Sequence, residues 1–162
     1  MLALFLTKAT STHISETSFN FDFFDIAFRA MLEEIIFRQL LIIYLLRYFN
    51  IIPTIIISSF LFSIAHLENY GIKIDYMSLI LKFLSGSLYA WVFIYSGRLI
   101  FPFVLHFLWN VIVKVFFTDT MMVLPNRDVL MVFVHVCLFV LVTLYYSRNN
   151  NKPALKVNQC MN

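Results

Sequence analysis

The stretch VLMVFVHVCLFVLVTLYY, Val129–Tyr146, decides the fold, because its 18 residues contain no Asp, Glu, Lys or Arg. A helix needs about 20 mostly apolar residues to cross the hydrocarbon core of a bilayer. Four earlier segments have a similar character, namely Phe24–Phe49, Ile51–Leu67, Met77–Tyr95 and Leu99–Phe117. We label the five segments A to E in chain order. They predict an all-α fold, a polytopic membrane helix bundle with about five transmembrane helices.

The composition of the whole chain agrees with a membrane protein. Its 162 residues are 61% hydrophobic and 13% charged, whereas a soluble domain is about half apolar and about a quarter charged. A soluble domain of this size has too small an interior to bury so many apolar side chains, which argues against a soluble protein. The high hydrophobic content also argues against a disordered chain. The net charge of +3 is too small to indicate a nucleic-acid partner. We expect an integral, multi-pass protein in contact with membrane lipid. The abundance of Phe, Ile, Asn and Lys is compatible with an AT-rich bacterial source, and the expected location is therefore a bacterial plasma membrane.

The polar stretches around the segments predict three regions. Residues 1–23 form a polar or interfacial N-terminal segment, residues 24–147 the transmembrane core, and residues 148–162 a polar C-terminal tail. Within the core, breaks between segments are predicted at Asn50–Pro53, Glu68–Gly71, Ser96–Arg98 and Asp119–Asp128. Cys137, in an apolar run, and Cys160, in the tail, indicate no disulfide framework.

Segment A contains three ionisable residues, Glu33, Glu34 and Arg38, and such groups in membrane spans usually face the protein interior or a water-filled cavity. Glu34 and Arg38 are four residues apart, so they share a helix face and can pair. Glu33 points about 100° away from Glu34 and has no obvious partner in its own helix. A carboxylate in such a low-dielectric site is a stronger base than in water, which suits general-base chemistry. A salt-bridged helix end near the membrane interface is an equally simple interpretation.

Segments B and D each carry a further i,i+4 pair. Phe62 lies one turn before His66, so its ring can cover one face of the imidazole. His106 lies one turn before Asn110, and together they can donate two hydrogen bonds to one oxygen, as an oxyanion site requires. Taken alone, each pair is more typical of an interfacial histidine or of polar contacts between membrane helices.

The order of the spans brings these polar groups to the same half of the bilayer. Glu33 lies about 10–14 Å into segment A at 1.5 Å per residue, segment B returns to that side at His66, and segment D ends there. Ionisable side chains are energetically unfavourable inside a membrane, so the convergence of polar groups from three helices favours one functional site over three unrelated polar contacts.

The chain resembles a known family in three motifs that occur in order, Glu33-Glu34-x-x-x-Arg38, Phe62-x-x-x-His66 and His106-x-x-x-Asn110. They are similar to the signature motifs of the CPBP family, the CAAX-processing and bacteriocin-processing intramembrane endopeptidases, also called the Abi family. Each motif is weak alone, but the ordered set within a membrane chain is specific. The resemblance implies a helical membrane fold with a conical water-filled cavity, and hydrolysis of a peptide bond in a peptide or protein near the membrane.

The resemblance also implies a role for each motif residue. Glu33 would activate the water, His66 would help to position and polarise it, and His106 with Asn110 would stabilise the oxyanion. The supporting residues would be Glu34, Arg38 and Phe62. Family members usually have further spans ahead of the first motif, whereas about 24 residues precede segment A here. The alternatives are a shortened member, a misassigned start of the sequence, or a fragment of a longer protein.

Zinc is an open alternative for the same residues. Glu33, His66 and His106 offer the oxygen and nitrogen donors that zinc uses in sites with one open position. The HExxH helix typical of zinc proteases is absent from the sequence, and we therefore favour a metal-free reaction without a cofactor.

The other polar residues in the spans have simpler interpretations. Lys82 and Lys114 lie close enough to the ends of segments C and D to reach the membrane interface. His135 is expected to be a hydrogen-bonded interior or interfacial residue, and Ser85-Gly86-Ser87 favours close helix packing.

Two other functions fit the pattern less directly. A non-catalytic bacteriocin-immunity or partner-binding membrane protein would use the same fold without hydrolysis, with a membrane protein or a second copy of the chain as partner. A proton-coupled carrier would use the Glu/His cluster, but the sequence lacks the inverted repeat of many carriers.

Overall fold

The computed structural model describes residues 16–67, 76–117, 127–148 and 152–155, and every regular element in these ranges is a helix. Helix α1 consists of an α-helical part, Glu16–Glu34, a π-helical part, Ile35–Ile42, and a last α-helical turn, Ile43–Leu45. The helices that follow are α2 (Ile51–Ile64), α3 (Tyr76–Ser96), α4 (Ile100–Phe117) and α5 (Arg127–Arg148). The predicted all-α class is confirmed for this part of the chain.

Helix α1 begins at Glu16, earlier than the apolar segment expected from Phe24. Hydropathy locates the part of a helix that matches a bilayer, and a helix can continue beyond that part. Several predictions concern residues outside the described ranges, namely residues 1–15 of the N-terminal segment, Glu68–Gly71, residues 119–126, Cys160 and most of the C-terminal tail.

Two described helices are long and apolar enough to cross a membrane, Tyr76–Ser96 and Val129–Tyr146. The apolar stretches Ile51–Ile64 and Ile100–Lys114 are shorter, and α1 is long but interrupted by charged residues. Apolar helices of this kind agree with a membrane protein. The count of five transmembrane helices stays a prediction.

Helices α2 and α3 pack closely at a glycine. A Cβ atom on Gly86 would lie 3.1 Å from Cδ1 of Phe62 and 3.2 Å from the Cα of Ser59. A Cβ atom at position 86 would therefore force these neighbours to give way by a few tenths of an ångström. This contact agrees with the predicted role of the small residues in segment C and places Phe62 against the middle of α3.

A second contact region closes the bundle at the end away from Glu33. It is a buried apolar cluster formed by Ile42, Leu46, Ile55, Ala90, Phe93 and Ile94. The backbone N–H of Leu155 donates a 3.1 Å hydrogen bond to the Ile94 carbonyl, so a piece of the C-terminal tail packs on this cluster. The two contact regions together fix how α1, α2 and α3 are rotated relative to one another.

Candidate active site

Glu33 and Glu34 end the α-helical part of α1, and the π-helical part begins directly after them at Ile35. Such π-helical turns are rare and occur frequently at functional sites. The Glu34 side chain is fully buried, with 0% exposed, whereas 30% of the Glu33 side chain is exposed. The two neighbouring carboxylates therefore have different surroundings, one inside the protein and one at the edge of a cavity.

Glu34 and Arg38 form the buried ion pair that their spacing predicts. Arg38 Nε lies 3.1 Å from Glu34 Oε2, although this contact lacks the geometry of a hydrogen bond. The guanidinium carbon lies 4.4 Å from the centroid of the Phe62 ring, and Nη2 donates a 3.4 Å hydrogen bond to the Gly86 carbonyl. These contacts make the pair an electrically neutral link between α1, α2 and α3.

Glu34 also orients His106 on α4. His106 Nδ1 lies 2.8 Å from Glu34 Oε1, and because an ionised carboxylate can only accept, the Nδ1–H donates. The Tyr89 ring stacks on the imidazole with a centroid distance of 5.0 Å. Held in this way, His106 directs Nε2 toward Glu33 and places it 3.7 Å from Oε2.

His66, just after the end of α2, faces the same Glu33 oxygen. Its Nδ1 lies 2.8 Å from the Phe62 carbonyl, which can only accept, so Nδ1 carries the proton. Its Nε2 lies 3.5 Å from Glu33 Oε2. The Phe62 ring covers the imidazole with a centroid distance of 4.7 Å, as the i,i+4 spacing predicts.

Three polar atoms therefore converge, Glu33 Oε2 and the Nε2 atoms of His66 and His106, and each Nε2 accepts a hydrogen bond whenever it carries no proton. Glu33 Oε2 is shielded and accepts no hydrogen bond from the residues that the structure describes. Such a cluster requires a donor, either a proton on one imidazole or the O–H groups of a water molecule. A carboxylate in this arrangement is placed to take a proton from water.

A cavity of about 490 Å³ opens beside this cluster. Its lining residues are Ile26, Arg29, Glu33, His66, Lys82, His106, Asn110, Val113 and Lys114. All four predicted catalytic residues lie in this wall, with Asn110 one helical turn from His106. The predicted supporting residues are not in this wall: Glu34 and Phe62 contact the histidines directly, and Arg38 contacts Glu34 and Phe62.

Two residues near the site were missed by sequence reasoning. Lys82 was expected only to reach the membrane interface, but it lines the cavity together with Glu33. Tyr89 was not singled out, yet it stacks on His106. Lys82, Ser85 and Tyr89 recur at i, i+3 and i+7, so the face of α3 that meets the site was visible in the helical spacing.

His135 on α5 is a hydrogen-bonded interior residue, as predicted. Its Nδ1 lies 2.8 Å from the Met131 carbonyl, and its Nε2 lies 2.6 Å from the hydroxyl oxygen of Ser85. This contact connects α5 to the face of α3 that carries Tyr89.

A zinc ion at this site would need ligands from Glu33, His66 and His106. In the described ranges, no three His, Cys, Asp or Glu side chains are arranged to hold a metal ion. The predicted ligands Glu33, His66 and His106 converge only as a looser group, with Glu33 as the shared neighbour.

Comparison with protein families matches residues 17–112 to the family described as type II CAAX prenyl endopeptidase Rce1-like. No curated protein and no solved structure matches the chain. The matched range contains all three motifs and covers more than half of the 162 residues. The resemblance drawn from the motifs is thus confirmed: the chain belongs to the Rce1-like family of type II CAAX prenyl endopeptidases, a family of membrane-embedded proteases.

Proposed function

We propose that the protein is an intramembrane endopeptidase that hydrolyses a peptide bond of a membrane-proximal peptide or protein, with Glu33 activating the water. The observation that carries the proposal is the convergence of Glu33 Oε2 with His66 Nε2 at 3.5 Å and His106 Nε2 at 3.7 Å beside an open cavity. Membership in a protease family supports the same reaction class.

In the proposed reaction, Glu33 takes a proton from a water molecule while the water oxygen attacks the carbonyl carbon of the peptide bond. His66 orients the water by accepting its second O–H at Nε2. When the tetrahedral intermediate collapses, the proton held by Glu33 passes to the leaving nitrogen. The C–N bond then breaks and releases a carboxylic acid and an amine, so that one water molecule is consumed and no further reactant is needed.

His106 and Asn110 are proposed to stabilise the oxyanion. To donate from Nε2, His106 must carry protons on both ring nitrogens, and the carboxylate of Glu34, 2.8 Å from Nδ1, compensates the charge of that imidazolium. The Asn110 side-chain amide supplies the second donor. Arg38 balances the charge of Glu34 and keeps this support in place.

We also propose that α1 to α5 form five transmembrane helices of a multi-pass protein in a bacterial plasma membrane. The apolar stretches of α2 and α4 are shorter than the length of about 20 residues that a full-thickness bilayer requires. Short spans fit a protein that holds a water-filled cavity in one half of the membrane, because the bilayer can thin around them.

The reaction is tested with the purified protein in proteoliposomes, using membrane-anchored synthetic peptides and the peptides encoded beside its gene. In water labelled with ¹⁸O, each cleavage is expected to place one ¹⁸O atom in the new carboxyl group. The variants His66→Gln and His106→Gln are expected to lower turnover by about 100-fold or more. Asp25→Asn, on the exposed side of α1, is the matched control and is expected to retain activity.

A different result would favour the non-catalytic alternative. If no peptide is cleaved and a Glu33→Ala/His66→Ala variant still gives cells the full protection against a bacteriocin that the native protein gives, hydrolysis is not the function.

A further inference from the structure

We propose that Lys82 binds a carboxylate of the peptide substrate and so selects the bond that reaches Glu33. The proposal rests on the proposed function, because Lys82 lines the same cavity as Glu33, His66 and His106.

The cavity wall carries more positive than negative charge. Glu33 is its acidic residue, whereas Arg29, Lys82 and Lys114 are basic. Arg29 is exposed and forms a 2.9 Å ion pair with Asp25, which offsets its charge. Lys114 is also exposed, whereas Lys82 is partly buried. Lys82 is therefore the basic residue best placed to meet a ligand inside the cavity.

Lys82 takes part in no ion pair among the residues that the structure describes. Its charge interacts with that of Glu33 across the cavity, but the two groups do not form a close pair. Lysine side chains inside membrane proteins carry a large desolvation cost and usually mark functional sites. An anionic group that enters the cavity would supply the missing close partner.

A peptide substrate carries such a group in two places, at its own C-terminus and on acidic side chains. The Lys82 ammonium has three N–H donors and no acceptor, which suits a carboxylate. Lys82 is on α3, whereas Glu33 and His106, which line the same cavity, are on α1 and α4. A carboxylate bound to Lys82 would thus anchor one end of the peptide while a nearby bond reaches the reacting groups.

A simpler role for Lys82 is to balance the charge of Glu33. That role and substrate binding predict different results. Loss of a counter-charge would change the rate for every peptide equally, whereas loss of a carboxylate site would affect only peptides that carry the carboxylate.

Binding is measured directly so that the result does not depend on turnover. Three fluorescent peptides of otherwise identical sequence are titrated into the full-length protein in nanodiscs: one with a free C-terminal carboxylate, one with a C-terminal amide, and one amidated peptide with an added Glu near its C-terminus. The proteins compared are the native chain, Lys82→Met and Lys82→Arg, with Lys152→Met as a matched control outside the cavity. Native-like thermal stability is checked for each variant.

We expect the native protein to bind the free-acid peptide, or the peptide with the added Glu, at least about tenfold more tightly than the plain amide. Which of the two binds more tightly identifies the source of the carboxylate. Lys82→Met should remove the preference without weakening amide binding, and Lys82→Arg should restore much of it. The proposal is overturned if the native protein binds the three peptides with equal affinity, or if Lys82→Met weakens the binding of all three peptides equally. Hydrolysis by the native protein is measured separately, so that failure of the proposed hydrolysis can be distinguished from failure of carboxylate binding at Lys82.

Discussion

The substitution Arg38→Met tests the buried network beneath the candidate site. It removes the partner of a fully buried carboxylate, since Glu34 and Arg38 are both 0% exposed and lie 3.1 Å apart. It also removes the guanidinium that lies over Phe62 and bonds to the Gly86 carbonyl. Breaking one side of a buried ion pair typically destabilises a protein by about 3–5 kcal/mol. At about 2–4 °C per kcal/mol for a chain of this size, we expect the unfolding midpoint to fall by about 6–20 °C.

The same helix offers a matched control. Asp25 and Arg29 are also four residues apart and 2.9 Å from each other, but both are exposed. An exposed pair of this kind contributes about 0–1 kcal/mol, so Arg29→Met should hardly change the midpoint. The assay is thermal unfolding in detergent, followed by tryptophan fluorescence and by retention of the monodisperse peak in size-exclusion chromatography.

A double-mutant cycle then isolates the charge effect. Glu34→Gln keeps an oxygen that can accept from His106 but removes the negative charge. The loss of unfolding free energy in the double variant Glu34→Gln/Arg38→Met should therefore be about 1–3 kcal/mol smaller than the sum of the losses in the two single variants. Additive effects, or an Arg38→Met shift no larger than that of Arg29→Met, would refute the idea that this pair is a coupled buried unit.

Three further predictions concern packing, hydrogen bonding and metal dependence. Gly86→Val should destabilise the protein by about 1–3 kcal/mol in the same unfolding assay, because its side chain would meet Phe62 and the Ser59 backbone; a neutral result would contradict the close α2–α3 contact. His135→Phe should cost about 0.5–1.5 kcal/mol, the net value of one hydrogen bond, because the Ser85 hydroxyl loses the imidazole but keeps the Leu81 carbonyl as a partner. In a Ser85→Ala background the same substitution should be nearly neutral if that hydrogen bond is the cause. Prolonged treatment with a zinc chelator should leave peptide hydrolysis within about twofold of the untreated protein if the reaction is metal-free; loss of hydrolysis that returns with added Zn²⁺ would establish the zinc alternative.

Much of the candidate site could be predicted because its motifs are local. Pairs four residues apart share a helix face regardless of the rest of the fold, which is why Glu34 with Arg38 and Phe62 with His66 are found in contact. The ordering of the motifs along the spans was enough to place Glu33 near both histidines. Neither inference required knowledge of how the helices are rotated against each other.

Other features depend on tertiary packing and could not be predicted. Lys82 lines the cavity. Spacing shows that Lys82, Ser85 and Tyr89 share one face of α3, but it does not show which neighbouring helices that face meets. The π-helical part after Glu34 has no signal in the spacing of the apolar residues. The hydrogen bond of Glu34 to His106 joins residues far apart in the chain, and spacing within one helix carries no information about it.

The central claim is that Glu33 is the base of a peptide hydrolysis. The most direct measurement compares single-turnover cleavage of one membrane-anchored peptide by the native protein, by Glu33→Gln and by Asp25→Asn, each in proteoliposomes and each with confirmed native-like stability. We expect Glu33→Gln to lower the rate by about 100-fold or more, while peptide binding is retained and Asp25→Asn cleaves like the native protein. Cleavage by a folded Glu33→Gln variant at the native rate would contradict the account.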